Sequence, residues 1–273
     1  MDVSPQDRPL FEAALQMFGL ARPEGTGFLN VVRYIASNDA GIKLLEKGGT
    51  YSLGGGGTTA LARSKFADFT GDVHFRSPVA GISQDGADGL VRVTTRDGRT
   101  VSARYVVNTM PLNVLSTITF SPPLSGFGRE VVDRGHVGRG EKVILALEDG
   151  SVSRPFFASA ASSATSSSSG CDFLASFPKA ISLTDGSISH AVGFLALSTE
   201  NPDLTTAASS EKILRSYETL VPGAKVEKYS IHDWRSDTFA RGTWACLPAG
   251  VEDGKYWDEL RRGHGNVVMA SGD

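Results

Sequence analysis

The last nine residues, Gly265-Asn-Val-Val-Met-Ala-Ser-Gly-Asp273, form an apolar strand that runs straight into Gly-Asp. In open α/β sheets the ligand sits beyond the carboxyl ends of the strands. A buried strand that ends in glycine and then a carboxylate is where the ribose or phosphate end of a dinucleotide is held. The segment therefore predicts one strand of a parallel sheet at a cofactor site. The usual complement, a strand, a Gly-x-Gly-x-x-Gly turn and a helix whose N-terminus takes a pyrophosphate, does not follow Met1.

With 273 residues, 40% of them hydrophobic, the chain can bury one large core or two smaller ones. Its formal charge is −3 and the basic residues are scattered rather than striped, which gives no electrostatic reason to expect nucleic acid as a partner. Cys171 and Cys246 lie far apart without metal-ligand spacing, so neither zinc nor a disulfide framework is expected. No apolar run reaches about 18 residues, so no membrane span is expected. The default reading is a soluble, intracellular protein, with cytoplasm and peroxisome not distinguished.

The hydrophobic period is helical over residues 8–20 and again over 28–47, where Ser37 to Gly41 breaks the pattern and Asp39 caps a second, shorter helix. Residues 48–57 hold six glycines and lead into a third helix over 58–69. Such a loop is a candidate anion site, but it lacks the Lys-Ser or Lys-Thr of a P-loop, and the favoured reading is a flexible turn. From residue 72 the period becomes two. Val73-His-Phe75 is expected as a short strand, and Leu90 to Thr95 and Thr100 to Val107 as a hairpin about a two-residue Asp97-Gly98 turn. The apolar Tyr105-Val-Val107 predicts entry into a buried sheet. Further strands are expected over 142–147, 189–197 and 225–232, and a helix over 211–220 capped by Ser209 or Ser210. Residues 158–170 are almost wholly Ala, Ser, Thr and Gly and predict a disordered loop.

Hydrolase and metalloprotease motifs are absent from the sequence. Two features remain. Lys142 opens an apolar strand, where a lysine is either a partly buried donor or a strand-edge cation reaching water. Asp233 to Trp244 crowds Trp234, Phe239 and Trp244 into a stretch with turn chemistry, either a ligand-facing wall or a satellite core under a loop.

Three separated segments resemble the flavin-containing amine oxidase family, in particular its fungal monoamine oxidases. They are Arg76-Ser-Pro-Val-Ala-Gly-Ile82, Tyr105 through Leu124, and Asp233-Trp-x-x-Asp-x-Phe-x-x-Gly-x-Trp244, in the family's order. The resemblance implies a mixed α+β and α/β fold: an antiparallel substrate domain with helices, plus strands of an FAD-binding Rossmann-like domain. In that plan residues 1–70 are the helical part of the substrate domain and 71–125 the FAD-domain-like hairpin region. Residues 126–245 continue the substrate domain, and 246–273 begin the last FAD-binding segment.

By the same resemblance Val79 meets the adenine of FAD, Thr109 to Pro111 line the flavin-domain side of the cofactor, and Gly272 and Asp273 open the final cofactor-binding segment. Lys142 is similar to the lysine that holds a water against flavin N5. Trp234 is similar to a tryptophan packed by the isoalloxazine ring, and Trp244 to one wall of the cage that guides the amine. Thr243 stands where some animal members carry the cysteine bonded to the flavin, which implies noncovalent FAD. Family members carry about 150 to 200 residues ahead of the matching region, the size of a domain on its own. The expectation is thus a truncated FAD-dependent oxidase acting on a small amine. A homo-oligomer or a complementing chain is the expected partner, and weak FAD retention by this chain alone is expected. The other readings are a noncatalytic protein that keeps the substrate groove and an inactive gene fragment.

Overall fold

The structure, a computed structural model, describes residues 4–8, 11–12, 16, 21, 25–36, 56–152, 158–159, 173–181, 184, 186–195, 203–251 and 254–271. Among these, three sheets carry the architecture, and each follows from a local pattern in the chain.

The largest sheet has five antiparallel strands in the order β10-β6-β9-β8-β7. They are β6 (Glu141–Leu147), β7 (Ala158–Ser159), β8 (Phe173–Ile181), β9 (Ile188–Leu195) and β10 (Val226–Ile231). Strict alternation in β6 buries Val143, Leu145 and Leu147 on one face and turns Lys142 and Ile144 to the other. The first face is covered by helix α5 (Ala207–Leu220), whose Ile213 and Tyr217 are fully buried with Phe173, Ile188 and Leu195. Tyr217 meets Phe173 edge-on at 5.1 Å, and its hydroxyl lies 3.2 Å from Ser176 Oγ. Thr206, not Ser209 or Ser210, caps α5: its hydroxyl accepts from the Ser209 amide, while Ser209 Oγ donates to the Asp203 carbonyl.

A second sheet, ordered β3-β2-β1-β5, contains β1 (Val79–Ser83), β2 (Val91–Thr95), β3 (Thr100–Ala103) and β5 (Thr119–Ser121). The expected hairpin is β2–β3, but its turn differs. Thr95 N–H donates to the Arg99 carbonyl and Gly98 N–H to the Thr95 carbonyl, which makes a three-residue loop, Arg96 to Gly98, with Gly98 at φ 86°. A type I turn followed by a left-handed residue has this form and needs the glycine. Val73 to Phe75 is not a strand, since the first strand begins at Val79 after a turn in which Arg76 takes φ 55°.

The second hairpin strand also ends early, at Ala103. The chain then enters a separate two-stranded parallel sheet, β4 (Val106–Asn108) with β11 (Val267–Met269). Val267 is fully buried with Ile82, Val91, Ile118 and Phe120, so this pair packs on the four-stranded sheet. Tyr105 and Val107 are exposed rather than buried, because among the described residues the two strands have only each other as neighbours.

Helix α1 is described over Phe28–Ala36, the Ser-Asn-Asp-Ala-Gly stretch that follows lies outside the described residues, and α2 (Gly57–Ala67) starts from Gly56. The expected second helix with Asp39, the glycines at 48–55 and most of residues 9–20 lie outside the described residues. Ala158 and Ser159 pair with β8 instead of belonging to a disordered loop; residues 160–170 also lie outside. A third packing unit joins α3 (Leu112–Leu115), α4 (Gly126–Arg134) and α6 (Gly254–Arg262). Tyr256, 1% exposed, donates to the Val131 and Gly135 carbonyls at 3.0 and 3.2 Å, which satisfies the end of α4. Burial pushes its phenol up to about 12.

The tightness of the large sheet is testable at Gly193 in β9. A Cβ there would lie 2.3 Å from Cε1 of Phe173, itself 2% exposed between sheet and α5. Gly193→Ala is expected to destabilise the fold by about 1–3 kcal/mol through overpacking, measured as a lower urea midpoint with unchanged m-value.

Candidate active site

The face of the large sheet opposite α5 carries the chemistry. β6 and β9 pair with Lys142 opposite Phe194, and β8 and β9 with Phe177 opposite Val192. Leu174, Val192 and Phe194 are buried together here, with Phe177 packed against them. The Lys142 ammonium stands 5.8 Å from the centre of the Phe194 ring, within cation–π range. Trp244 closes on the same ring edge-to-face at 5.9 Å. Lys142 and Trp244, 102 positions apart in sequence, are thus brought to one aromatic residue that sequence reading had not singled out. The signal for Phe194 was present: in β9 it has the parity that faces Lys142 rather than Leu145.

The loop that carries Trp234 and Trp244 is a series of turns over residues 234–244. Trp234, Phe239 and Trp244 are 45%, 54% and 41% exposed, which decides against a satellite core. Trp234 meets His232 edge-to-face with ring centres 4.2 Å apart, and its carbonyl accepts from the Gly242 amide. Arg96, in the hairpin loop, lies over the Phe239 ring at 5.6 Å and so ties the four-stranded sheet to this loop.

Beneath the loop lies a buried ion pair. Glu141, immediately before Lys142, accepts from Arg235, immediately after Trp234, at 3.0 Å; the two side chains are 2% and 8% exposed. Arg235 also donates to Asp233 at 3.2 Å. Burial pushes the Glu141 carboxyl up to about 7, against the downward pull of the adjacent guanidinium. Asp233 is held below the ordinary range: its own burial would raise it, but Arg235 and two hydrogen bonds from Ser236 prevail.

Asn113 supplies a second tie. Its side-chain amide donates to the carbonyls of His136 and Arg241 at 3.2 and 2.9 Å and accepts from the His136 amide at 2.8 Å. Pro111, two residues earlier, is the N-cap of α3 and partly buried, while Thr109 is exposed just past the end of β4. The segment expected to line the cofactor is thereby fastened to the loop of the two tryptophans. Gly242 makes the fit possible, since a Cβ there would lie 2.7 Å from Cε1 of His136 and 2.9 Å from the Gly138 carbonyl.

The carboxyl ends of β4 and β11 meet at Asn108 and Met269, and a mostly apolar cleft of about 330 Å³ opens beside them. Met110, Leu112, Leu124, Arg261 and Ser271 are among its walls. A crevice beyond the carboxyl ends of parallel strands is where α/β sheets bind nucleotides. Thr109 and Pro111 are not among its walls, although their neighbours Asn108, Met110 and Leu112 are; Val79 packs at the edge of the neighbouring core, and Gly272 and Asp273 lie outside the described residues.

A family profile described as flavin containing amine oxidoreductase matches residues 36–272. The chain belongs to the flavin-containing amine oxidoreductase family. Pseudooxynicotine dehydrogenase of Pseudomonas sp. is 24% identical over 274 aligned positions, covering 100% of this chain and 52% of that enzyme. Nicotine dehydrogenase of Pseudomonas putida is 23% identical over 219, covering 80% and 41%. The solved structure of cyclohexylamine oxidase from Brevibacterium oxydans superposes with a TM-score of 0.71 at 19% identity, over 99% of this chain and 59% of that one. The chain therefore spans about half the length of these amine-oxidoreductase relatives. They are bacterial enzymes, so they support the family as a whole and not its fungal monoamine oxidases specifically. The mixed fold and the flavin character implied by the resemblance both stand.

Glu141 gives a pH test. Its folded value near 7 lies above the ordinary 4.5, so the folded protein binds an extra proton between those pH values. The resulting stabilisation is full below pH 4.5 and is lost as pH rises through 7. Relative to Glu141→Gln, which cannot titrate, the natural chain is expected to lose up to about 3 kcal/mol across this window. Chemical denaturation of both proteins at several pH values measures it, and parallel profiles would remove the shifted carboxyl.

Proposed function

We propose that this chain carries the amine-binding wall and part of the cofactor cleft of an FAD-dependent amine oxidase. Such an enzyme converts an amine to an imine and passes the electrons to oxygen, giving hydrogen peroxide. The observation that carries the reading is the meeting of Lys142, Phe194 and Trp244 on one sheet face, beside a loop whose aromatic rings stay open to solvent.

The residues present fit FAD on two counts. The cleft at the ends of β4 and β11 is apolar enough for a ring and offers Asn108, Arg261 and Ser271 as polar contacts. By the family resemblance Val79, Thr109, Pro111, Gly272 and Asp273 would hold the cofactor, and Trp234 would pack along its ring. FAD bound there would take the hydride equivalent from the amine's α-carbon. The binding is proposed to be noncovalent: the position of the family's linking cysteine is Thr243, and Cys246 is buried, its thiol pushed up by that burial.

Each side chain then has a defined task. Trp244 orients the amine by its face, supported by the buried Phe194 ring beneath it, and excludes water from it. Lys142 holds a water by donating from Nζ, positioned for hydrolysis of the imine. Glu141 and Arg235 touch no substrate; they fix the backbone at Lys142 and Trp234. The proposed substrate class is a small amine. The bacterial relatives act, by their names, on nicotine-related compounds and cyclohexylamine.

Two measurements test the proposal. A visible spectrum of the purified chain after incubation with FAD and removal of free cofactor is expected to keep flavin bands. Their complete loss from a folded sample would sink cofactor binding by this chain alone. If flavin is kept, Lys142→Met is expected to retain the bands yet reduce amine-dependent peroxide formation by about 10²-fold or more, the range for loss of a positioned proton-handling group.

A further inference from the structure

A second cleft, of about 360 Å³, lies on the other side of the tie made by Asn113 and has a different character. Four arginines line it: Arg134, Arg139, Arg235 and Arg241. They come from the end of α4, the loop before β6 and the two ends of the aromatic loop, so only the tertiary fold assembles them. His136 and Asn113 complete the polar wall. The carboxylate that shares it, Asp133, is already bound to Arg129 at 2.6 Å.

The charges of these arginines are unevenly used. Arg134 pairs with Glu130 at 2.9 Å. Arg139 and Arg241 have no ion pair among the described residues; Arg241 reaches only Ser116 Oγ, at 3.3 Å. Arg235 is 92% buried, and Nε is its bonded nitrogen, facing Glu141 and Asp233. Its Nη2 is buried without a hydrogen-bond partner. That nitrogen lies beneath the surface at the floor of the cleft, where an unmet guanidinium N–H costs free energy and adds positive charge under the two exposed arginines. Arg241 adds a backbone signal, since it holds φ 58°, uncommon for a residue with a side chain and frequent at ligand sites.

We propose that this cleft binds a small oxyanion, a phosphate or carboxylate group, gripped by Arg139 and Arg241 above the buried positive charge of Arg235. Planar guanidinium groups match such anions with paired hydrogen bonds. The site is distinct from the apolar cleft at the ends of β4 and β11 and does not depend on the amine-oxidase reading. Because Arg235 is shared with the Glu141 pair under Lys142 and Trp234, an anion here would stiffen the floor of the aromatic site.

The test is titration calorimetry of the 273-residue chain with sodium phosphate and, separately, sodium acetate, in a chloride background of fixed ionic strength. Saturable one-to-one binding of at least one anion is expected, and whichever binds more tightly names the source of the oxyanion. Arg139→Gln and Arg241→Gln are each expected to weaken it about tenfold or more, whereas Arg215→Gln on exposed α5 leaves it unchanged. Circular dichroism checks the fold, and Arg139, exposed in its loop, provides the decisive variant if the turn at Arg241 does not tolerate change. No saturable binding of either anion, wild-type affinity in folded Arg139→Gln, or an equal loss in Arg215→Gln overturns the proposal.

Discussion

The buried pair of Glu141 and Arg235 is the interaction on which the site depends. It joins the first residue of β6 to the first turn of the aromatic loop, and each partner is the immediate neighbour of a candidate site residue, Lys142 and Trp234. Taking two charges out of water is expensive, and their attraction repays this only with good geometry and further hydrogen bonds. Asp233 supplies one such bond. The pair is therefore better understood as a device that fixes one loop position than as a source of net stability. A lysine on a strand is already well placed; a tryptophan on a chain of turns is not, and the ion pair removes that freedom.

Around this pair the remaining ties are short and backbone-directed. Asn113 holds the amide and the carbonyl of His136 and the Arg241 carbonyl, so the segment after β4 is tied by two hydrogen bonds to the chain before β6 and by one to the aromatic loop. Asn30 does the same at the far end of that loop, donating to and accepting from Leu247 at 3.0 and 3.1 Å. Side-chain amides carry a donor and an acceptor in one plane, and here they stand in for strand neighbours where no strand runs. The large sheet provides a rigid platform because only one of its faces is committed to α5. The other face is left for aromatic residues and Lys142.

Several elements were legible in the chain because their patterns are local. The alternation in β6, the apolar strand runs that became β9 and β10, the hairpin about Gly98 and the helical face of α5 all appear where the chain predicts them. Others were hidden for physical reasons. β8 contains Pro178, which normally argues against a strand; it is tolerated beside a register shift, where the ladder requires little of its nitrogen. α4 begins with glycines at 126 and 128, poor helix formers, and is held by the Ser125 cap and the Tyr256 hydroxyl. Tyr105 to Val107 reads as a buried strand by composition, yet exposure follows from the number of neighbouring strands, which no local pattern encodes.

The sequence by itself determined the family, through three separated motifs, and with it the candidate roles of Lys142, Trp234 and Trp244. It also determined strand parity, since alternation along a strand is a property of the covalent backbone. Which of those residues share a surface was decided only by the tertiary structure. Phe194 meets Lys142 through the β6–β9 register, Arg235 finds Glu141 across 94 positions, and four arginines from three segments line one cleft. Register, loop path and burial depend on contacts between residues distant in the chain, and their energies cannot be assigned until those residues have neighbours.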